Sequence, residues 1–356
     1  MSKIIMHIDI DAFFAQASII NQHKDRNFPT VVSNMRSRHQ IIATSNYAAR
    51  KYKIHSAMHL GTARKLFPDL LVLKPDYDLY DRLSKHFQQI AYQYSSKVYI
   101  YSVDELFIDV TNLIPRYHNN INFLILDIKK RIKQSINLEV SIGVSVNFLL
   151  AKIATDLNKP NGHTVLLDKN SIRKQIEPLL VSDVPYIGNK SSILLNKEKI
   201  FTVKDLLDQN NQQKVYAILG SNYYNLISNL TGSYDVDLIN FTTREHTISR
   251  SISVNPTDDE KHIKQIMLNL FNDLYQQLIS HNYVVRVVSF YIKNKNYEQH
   301  SQQAKMPYYT NDRTVLLHYL LKLFSKLYNE QILTLVGVAF ADVLYADEEA
   351  QQTHLF

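Results

Sequence analysis

Residues 97–111 read KVYIYSVDELFIDVT, two runs of β-type residues that meet at the polar tip 102–105. Branched and aromatic residues on either side of a short polar break predict a β-hairpin. An earlier β-rich run, residues 4–11, ends in acidic residues. The sequence therefore predicts a hairpin and a further strand that each carry carboxylates at one end.

Two amphipathic segments flank the hairpin. Residues 77–96 and 122–136 have apolar side chains at helical spacing, and residues 139–147 alternate as a strand does. The resulting order of strand, helix, hairpin, helix and strand is βαββαβ, which predicts a ferredoxin-like domain. A short helical pattern and a basic insertion lie between the first strand and residue 77.

The second half of the chain changes in character. From about residue 165 the pattern predicts short helices, with two glycine-marked turns at Gly188 and Gly220. After a polar stretch, strands and the helices predicted at 259–281 and 311–328 repeat the βαββαβ order, which predicts a second ferredoxin-like module. We therefore predict an α+β fold divided at 1–165, 166–233, 234–243, 244–345 and 346–356, with the insertion at about 20–77.

Composition and charge narrow the class of protein. The chain has 356 residues, enough for several domains. It has no cysteine, which excludes disulfides and thiolate chemistry. The absence of cysteine also fits the expectation of a cytoplasmic protein. The 14 histidines show no metal-binding spacing. Between residues 24 and 65 there are nine Lys or Arg and one acid, and the net charge is +7, which favours a polyanionic partner.

Carboxylates mark the candidate site. Asp9 lies in HIDIDAFF at the end of the first strand, and Asp104 and Glu105 lie at the hairpin tip. These two places are neighbours in a ferredoxin-like sheet, and three carboxylates there would suit Mg²⁺. A lone acid at a strand end is more often an ordinary turn residue, but the two groups together favour a two-metal site for phosphoryl chemistry.

Four motifs in order carry a family resemblance. HIDIDAFFAQ, ATSNYAARKY, SVDELFID and SIGVSVNFLLAKIATDLNKPNG resemble the motifs of Y-family translesion DNA polymerases of the polymerase IV, or DinB, kind. The resemblance runs from residue 1 to about 345. It implies a palm with a fingers insertion, a helix-hairpin-helix thumb, a linker, a little finger and a C-terminal tail, in the order of the predicted divisions.

The resemblance also implies roles for residues at the matching positions. Asp9, Asp104 and Glu105, with the backbone carbonyl of Ile10, would bind two Mg²⁺ ions, and Ser102 would lie near the primer terminus. Phe14 would be a steric gate against a ribose 2′-hydroxyl. The contacts to the incoming deoxynucleoside triphosphate (dNTP) would be Thr44, Tyr47, Arg50 and Lys159.

DNA and clamp contacts follow from the same resemblance. The thumb turns at Gly188 and Gly220 would present backbone N–H groups to DNA phosphates. Further phosphate contacts would be Arg244, Arg250, Arg286, Lys293 and Lys295. The last residues resemble a Gln-x-x-Leu-Phe sliding-clamp motif, made here by Gln352, Leu355 and Phe356. We expect a monomer that binds primer–template DNA, dNTP and the clamp, has no membrane contact and carries no proofreading exonuclease.

Four positions depart from the family pattern: Ala12, Ala57, Phe148 and Tyr186. They leave the range of lesions and the distinction between a polymerase IV-like and a polymerase V-like role open. Two other functions also remain open at this point. A nucleotidyl cyclase could use a similar palm and two metal ions, and a non-catalytic DNA-binding relative could keep the fold.

Overall fold

A computed structural model describes residues 3–34, 40–233 and 247–347. The chain divides into two compact units, residues 1–241 and 242–356. The predicted linker at 234–243 and most of the predicted tail lie outside the described residues. Among the described helices, none combines the length and apolar character needed to cross a membrane.

The first unit contains eight strands and eleven α-helices within its described residues. The strands are β1 Ile5–Ile10, β2 Thr30–Ser33, β3 Ile42–Ser45, β4 Leu71–Leu73, β5 Val98–Ile100, β6 Glu105–Asp109, β7 Val140–Ser145 and β8 His163–Leu166. The helices are α1 Phe13–Asn21, α2 Tyr47–Arg50, α3 Leu60–Leu66, α4 Tyr77–Tyr94, α5 Ile121–Ile136, α6 Phe148–Asp156, α7 Lys169–Ile176, α8 Asn189–Lys197, α9 Val203–Leu207, α10 Gln212–Leu219 and α11 Asn222–Leu230.

The main sheet has the strand order β5-β6-β1-β7-β8. Each neighbouring pair among its first four strands is antiparallel, and the four are joined as a ferredoxin-like βαββαβ unit, as the sequence predicts. β8 adds a parallel edge strand beside β7. Neither β8 nor the three-residue β4 was predicted, because such short strands give little periodicity.

Helices cover both faces of this sheet. Met6 and Ile8 pack with α4 and α5 in one buried core, whereas Ile5 packs with residues of α6 in another. Because side chains alternate along a strand, His7 and Asp9 share the α6 face with Ile5. The sheet therefore carries its main core on one side and the predicted metal ligands on the other.

A smaller sheet of order β3-β2-β4 lies within the insertion at about 20–77, which the family resemblance assigns to the fingers. Helix α1 connects it to the main sheet. Phe13 and Ala17 of α1 belong to the core above the main sheet, and Ala15 and Ile19 pack with fingers residues instead. Alternate residues of one helix therefore hold the fingers against the palm.

Helices α7–α11, in the segment predicted as the thumb, show one difference from the sequence analysis. Gly220 has φ 60 and is a turn glycine, as predicted. Gly188, in contrast, has an extended backbone and is the N-cap residue of α8. The left-handed residue of that turn is Tyr186, with φ 73. The turn at this place is therefore made without glycine.

The second unit has the predicted βαββαβ order but a different topology. Its elements are β9 Thr247–Thr257, α12 Glu260–Ser280, β10 Tyr283–Asn294, β11 Gln299–Thr310, α13 Arg313–Leu327 and β12 Leu333–Tyr345. The strand order is β11-β10-β12-β9, so the second and fourth strands lie in the centre. In the ferredoxin-like βαββαβ part of the first unit, the first and third strands, β1 and β6, lie between the other two. The prediction of a second ferredoxin-like module is therefore wrong in strand order, because element order alone does not fix which strands pair.

Gly143 of β7 permits the close approach of α6 to the sheet. A Cβ there would lie 2.1 Å from the backbone oxygen of Ala151 and 2.3 Å from the backbone nitrogen of Thr155. We expect Gly143→Ala to lower the free energy of unfolding by about 1–3 kcal/mol, the range typical of overpacking, measured by urea denaturation.

The matched control is Gly61→Ala in α3. A Cβ at Gly61 meets no atom within 4 Å. Since alanine is favoured over glycine in helices by roughly 0.5–1 kcal/mol, this variant should be as stable as the wild type or slightly more so. Equal stability of both variants would show that the α6 contact tolerates a methyl group.

Candidate active site

Strand pairing sets the positions of two predicted ligands. Asp9 of β1 lies directly opposite Glu105 of β6 in the antiparallel register. Asp9 is buried, with 7% of its surface exposed. The structure therefore brings together two carboxylates that are far apart in the sequence.

The hairpin tip holds the third carboxylate, Asp104. The Ser102 hydroxyl donates a hydrogen bond of 2.6 Å to Asp104 Oδ1. Ser102 Oγ in turn accepts from the backbone N–H groups of Asp104 and Glu105, at 3.3 and 3.1 Å. The tip is joined to β1 because the Ile10 backbone N–H donates to the Asp104 carbonyl at 2.9 Å. Ser102 therefore fixes the conformation of the turn that carries two of the ligands.

Lysines provide the counter-charge at these carboxylates. Lys159 Nζ lies 2.8 Å from Asp9 Oδ2 and 2.8 Å from Asp156 Oδ1. Lys152 Nζ lies 2.5 Å from Glu105 Oε2, and His7 Nε2 lies 3.6 Å from the same oxygen. Lys152 and Asp156 belong to α6, so the close packing of α6 places these charges over the sheet.

Burial and these charged neighbours shift the pKa values of Asp9, Glu105 and His7. Burial raises the pKa of Asp9 to about 8, although Lys159 acts in the opposite direction. Burial also acts to raise the pKa of Glu105, but the contacts with His7 and Lys152 outweigh it and hold that pKa below its ordinary value. Burial lowers the pKa of His7, which favours a neutral imidazole.

The donor set of the site fits divalent cations that prefer oxygen ligands. Across residues 3–34, 40–233 and 247–347, however, no three His, Cys, Asp or Glu side chains already surround a common metal position. Asp9 and Glu105 contact lysines, and the Asp104 carboxylate is bonded by Ser102. The predicted ligands thus lie close to one another. Their carboxylate oxygens contact Lys152, Lys159 and the Ser102 hydroxyl.

Predicted triphosphate contacts lie on β3 and α2 of the fingers. Asn46 caps α2 by accepting from the Ala49 backbone N–H, and it also accepts from the Thr30 backbone N–H. The Arg50 guanidinium lies 4.4 Å from the centre of the Tyr47 ring. Thr44 precedes them on β3. The structure therefore groups Thr44, Tyr47 and Arg50 on two consecutive short elements, while Lys159 lies in the turn after α6.

The predicted steric gate stacks on a second aromatic ring. The rings of Phe14 and Tyr80 are 4.2 Å apart and nearly parallel. The Tyr80 hydroxyl lies 2.6 Å from Ser18 Oγ, which holds this ring in place. The left-handed residue Ala12, with φ 46, precedes α1 and sets the direction in which Phe14 leaves the strand.

The predicted DNA contacts of the second unit differ in their surroundings. Both Nε and Nη2 of Arg286 donate to Asp342 Oδ2, at 3.0 and 2.9 Å, so this guanidinium already has a protein partner. Arg250 and Lys295 are exposed, and Lys293 is half-buried. Predictions that fall outside the described residues concern Arg244, Gln352, Leu355 and Phe356.

Three neighbours of the site were not singled out from the sequence: His7, Asp11 and Lys152. His7 is two residues from Asp9, so strand periodicity could have placed both on one face. Lys152 lies within a quoted motif, on the helix α6 that the Lys159 turn follows. Asp11 is buried, and its carboxylate accepts three hydrogen bonds.

Comparison with known proteins identifies the family. A model of the impB/mucB/samB family matches residues 8–156, and a model of the C-terminal domain of that family matches residues 240–355. The DNA polymerase IV of Ureaplasma parvum serovar 3 is 37% identical over 99% of this chain and 98% of its own length. The DNA polymerase IV of Fusobacterium nucleatum is 30% identical, with 96% of each chain covered.

Solved structures agree in fold. A Y-family DNA polymerase chimera of Dbh and Dpo4 has a TM-score of 0.81 at 23% identity and covers 96% of this chain and 99% of its own. DinB from Sulfolobus solfataricus covers the same shares, with a TM-score of 0.66 at 22% identity. Together with the family models and the polymerase IV relatives, these similarities show that the chain belongs to the impB/mucB/samB family and is a DinB-like, translesion DNA polymerase of the Y-family.

Proposed function

We propose that this polymerase adds deoxynucleotides to a primer 3′-end with two divalent ions held by Asp9, Asp104, Glu105 and the Ile10 carbonyl. The observation that supports it is the cross-strand pairing of Asp9 with Glu105 beside the Asp104 turn. When bound, the two ions would activate the primer hydroxyl and stabilise the leaving pyrophosphate.

The protein side chains position and neutralise charge in this proposal. Ser102 orients the Asp104 carboxylate, and the lysines balance the buried negative charge before nucleotide arrives. Arg50 and Tyr47 approach the triphosphate from the fingers, and Lys159 approaches it from the palm. An arginine fork suits phosphate oxygens. Such positioning is most of what phosphoryl transfer requires from a protein.

The nucleotidyl cyclase hypothesis is not retained. The chain matches polymerase IV relatives over nearly its whole length, including the second unit, which a cyclase reaction does not need. A non-catalytic relative is disfavoured by the three intact carboxylates. The sliding clamp and the monomeric state remain part of the proposal, with the clamp bound through Gln352, Leu355 and Phe356.

Removing one proposed ligand tests the metal site. We expect Asp104→Ala to reduce primer extension with Mg²⁺ by about a thousandfold or more, since the proposed ions provide several kcal/mol of charge stabilisation. The control Asp81→Ala removes an exposed acid of α4 that pairs with Lys85. Extension by Asp104→Ala at the wild-type rate would exclude the proposed ligand set.

Shortening the proposed gate tests sugar discrimination. We expect Phe14→Val to raise ribonucleotide insertion relative to deoxynucleotide insertion by about tenfold or more, because several ring carbons that would exclude the 2′-hydroxyl are removed. The measurement is the ratio of kcat/KM for the two sugars. Phe123→Val, which changes an exposed ring on α5, is the control. If the ratio for Phe14→Val matched the control, Phe14 would not be the gate.

Truncation of the tail tests the clamp proposal. Deleting Leu355 and Phe356 should abolish stimulation of extension by a bacterial sliding clamp and leave clamp-independent extension intact, because the two apolar anchors are lost. Thr353→Ala, a change at a variable position of the motif, should keep full stimulation. Undiminished stimulation of the truncated chain would rule out this docking mode.

A further inference from the structure

Asp11 is a buried carboxylate with no role in the proposal above. Only 4% of its surface is exposed, and it follows the last residue of β1. Both its backbone N–H and its backbone carbonyl make hydrogen bonds. The Asp11 N–H donates to the Glu139 carbonyl at 3.1 Å, and the Asp11 carbonyl accepts from Gln16 Nε2 at 2.7 Å. The position of this carboxylate is therefore well determined by the palm.

Three donors from three parts of the chain converge on the carboxylate. Oδ1 accepts from the Ser141 hydroxyl of β7 at 2.8 Å and from the Tyr47 hydroxyl of α2 at 3.4 Å. Oδ2 accepts from the backbone N–H of Asn161 at 2.7 Å. An ionised carboxylate only accepts hydrogen bonds, so it can satisfy all three donors together.

Two of these donors belong to the segments that carry the proposed triphosphate contacts. Tyr47 packs under the Arg50 guanidinium on the fingers side. Asn161 lies two residues after Lys159 on the palm side. The Asn161 carbonyl in turn accepts from Lys129 Nζ of α5 at 2.6 Å, which fixes the other end of this residue. Asp11 thus joins both halves of the triphosphate site through one side chain.

We infer that Asp11 is a positioning residue for the incoming nucleotide: its carboxylate holds Tyr47 of the fingers and the turn after Lys159 at the separation that the triphosphate requires. This inference rests on the proposed function. Asp11 does not touch the nucleotide itself. It acts through its three donors. Removing its carboxylate would break the connection between the Tyr47 and Asn161 segments and let them shift slightly relative to each other. Nucleotide positioning is sensitive to such small shifts.

Asp11→Asn is the most direct test, because it keeps the shape of the side chain. Asparagine has one acceptor oxygen and one NH₂ donor: with its oxygen toward the Asn161 N–H, its NH₂ group faces the Ser141 and Tyr47 hydroxyls, which must reverse to accept from it, and the charge that strengthens all three hydrogen bonds is lost. We expect the dNTP Kd, measured with Mg²⁺ on a dideoxy-terminated primer–template, and the KM for dNTP to rise by about tenfold or more. The affinity for primer–template DNA and kcat should change by about twofold or less.

A second variant keeps the inference testable if Asp11→Asn does not fold. The Ser141 hydroxyl donates to Asp11 Oδ1, and Ser141 lies in β7, opposite Asp9 in the register with β1. Ser141→Ala removes this hydrogen bond and should therefore weaken dNTP binding by about threefold to tenfold, with the affinity for primer–template DNA unchanged. The matched control is Glu139→Gln, whose side chain pairs with Lys133 and whose backbone contact with Asp11 is retained. It should bind dNTP as the wild type does.

Each outcome separates the inference from the proposed function. Wild-type dNTP affinity in both Asp11→Asn and Ser141→Ala would overturn the inference, and the proposed function of the wild-type chain would still stand. A parallel loss of dNTP and DNA affinity would also overturn it, since that pattern indicates general damage to the palm. Failure of the wild-type chain to extend a primer would instead defeat the proposed function itself.

Discussion

The antiparallel pairing of β1 with β6 is the constraint on which the site depends. It sets Asp9 opposite Glu105 and joins Ile10 to the Asp104 carbonyl, so the three carboxylates reach one end of the sheet. A shift of one residue in this register would turn the alternate side chains to the other face. The large core between the sheet and the helices α4 and α5 prevents such a shift, because it requires Met6, Ile8 and Leu106 on their present side. Core packing therefore determines where the charge lies.

Gathering carboxylates on a packed sheet requires compensating charge. A buried carboxylate is unfavourable unless it is paired, and Asp9 keeps a raised pKa even beside Lys159. Helix α6 provides Lys152, and the turn that follows it provides Lys159. Both cations reach the carboxylates because Gly143 lets α6 lie directly on β7. The same lysines that stabilise the site without ligands would have to exchange partners when metal ions and triphosphate bind.

Much of this arrangement follows from local sequence patterns. The hairpin at 97–111, the two long helices of the palm and the closing strand have strong periodicity, and the structure contains all of them. The strand order of the second unit could not be predicted, because it depends on pairing between distant segments. The partners of Asp9 and Glu105 could not be predicted either, since they come from the packing of α6 against the sheet. Asp11 shows the same limit: its three donors are 36, 130 and 150 residues away in the chain.

Two departures from the family pattern show how the fold tolerates a missing glycine. Ala57 and Tyr186 stand where the family resemblance leads us to expect glycine, and both have left-handed backbones, with φ 66 and 73. This conformation costs an L-residue about 1–2 kcal/mol relative to ordinary conformations. At Ala57 the surrounding strand fixes the turn, because the Ala57 N–H donates to the Ile42 carbonyl at 2.8 Å. At Tyr186 the Ile187 N–H closes the turn by donating to the Val184 carbonyl at 3.1 Å, and α8 begins three residues later at Asn189. The backbone shape at both places is therefore imposed by the neighbouring elements, and glycine would relieve strain there without being needed to create the turn.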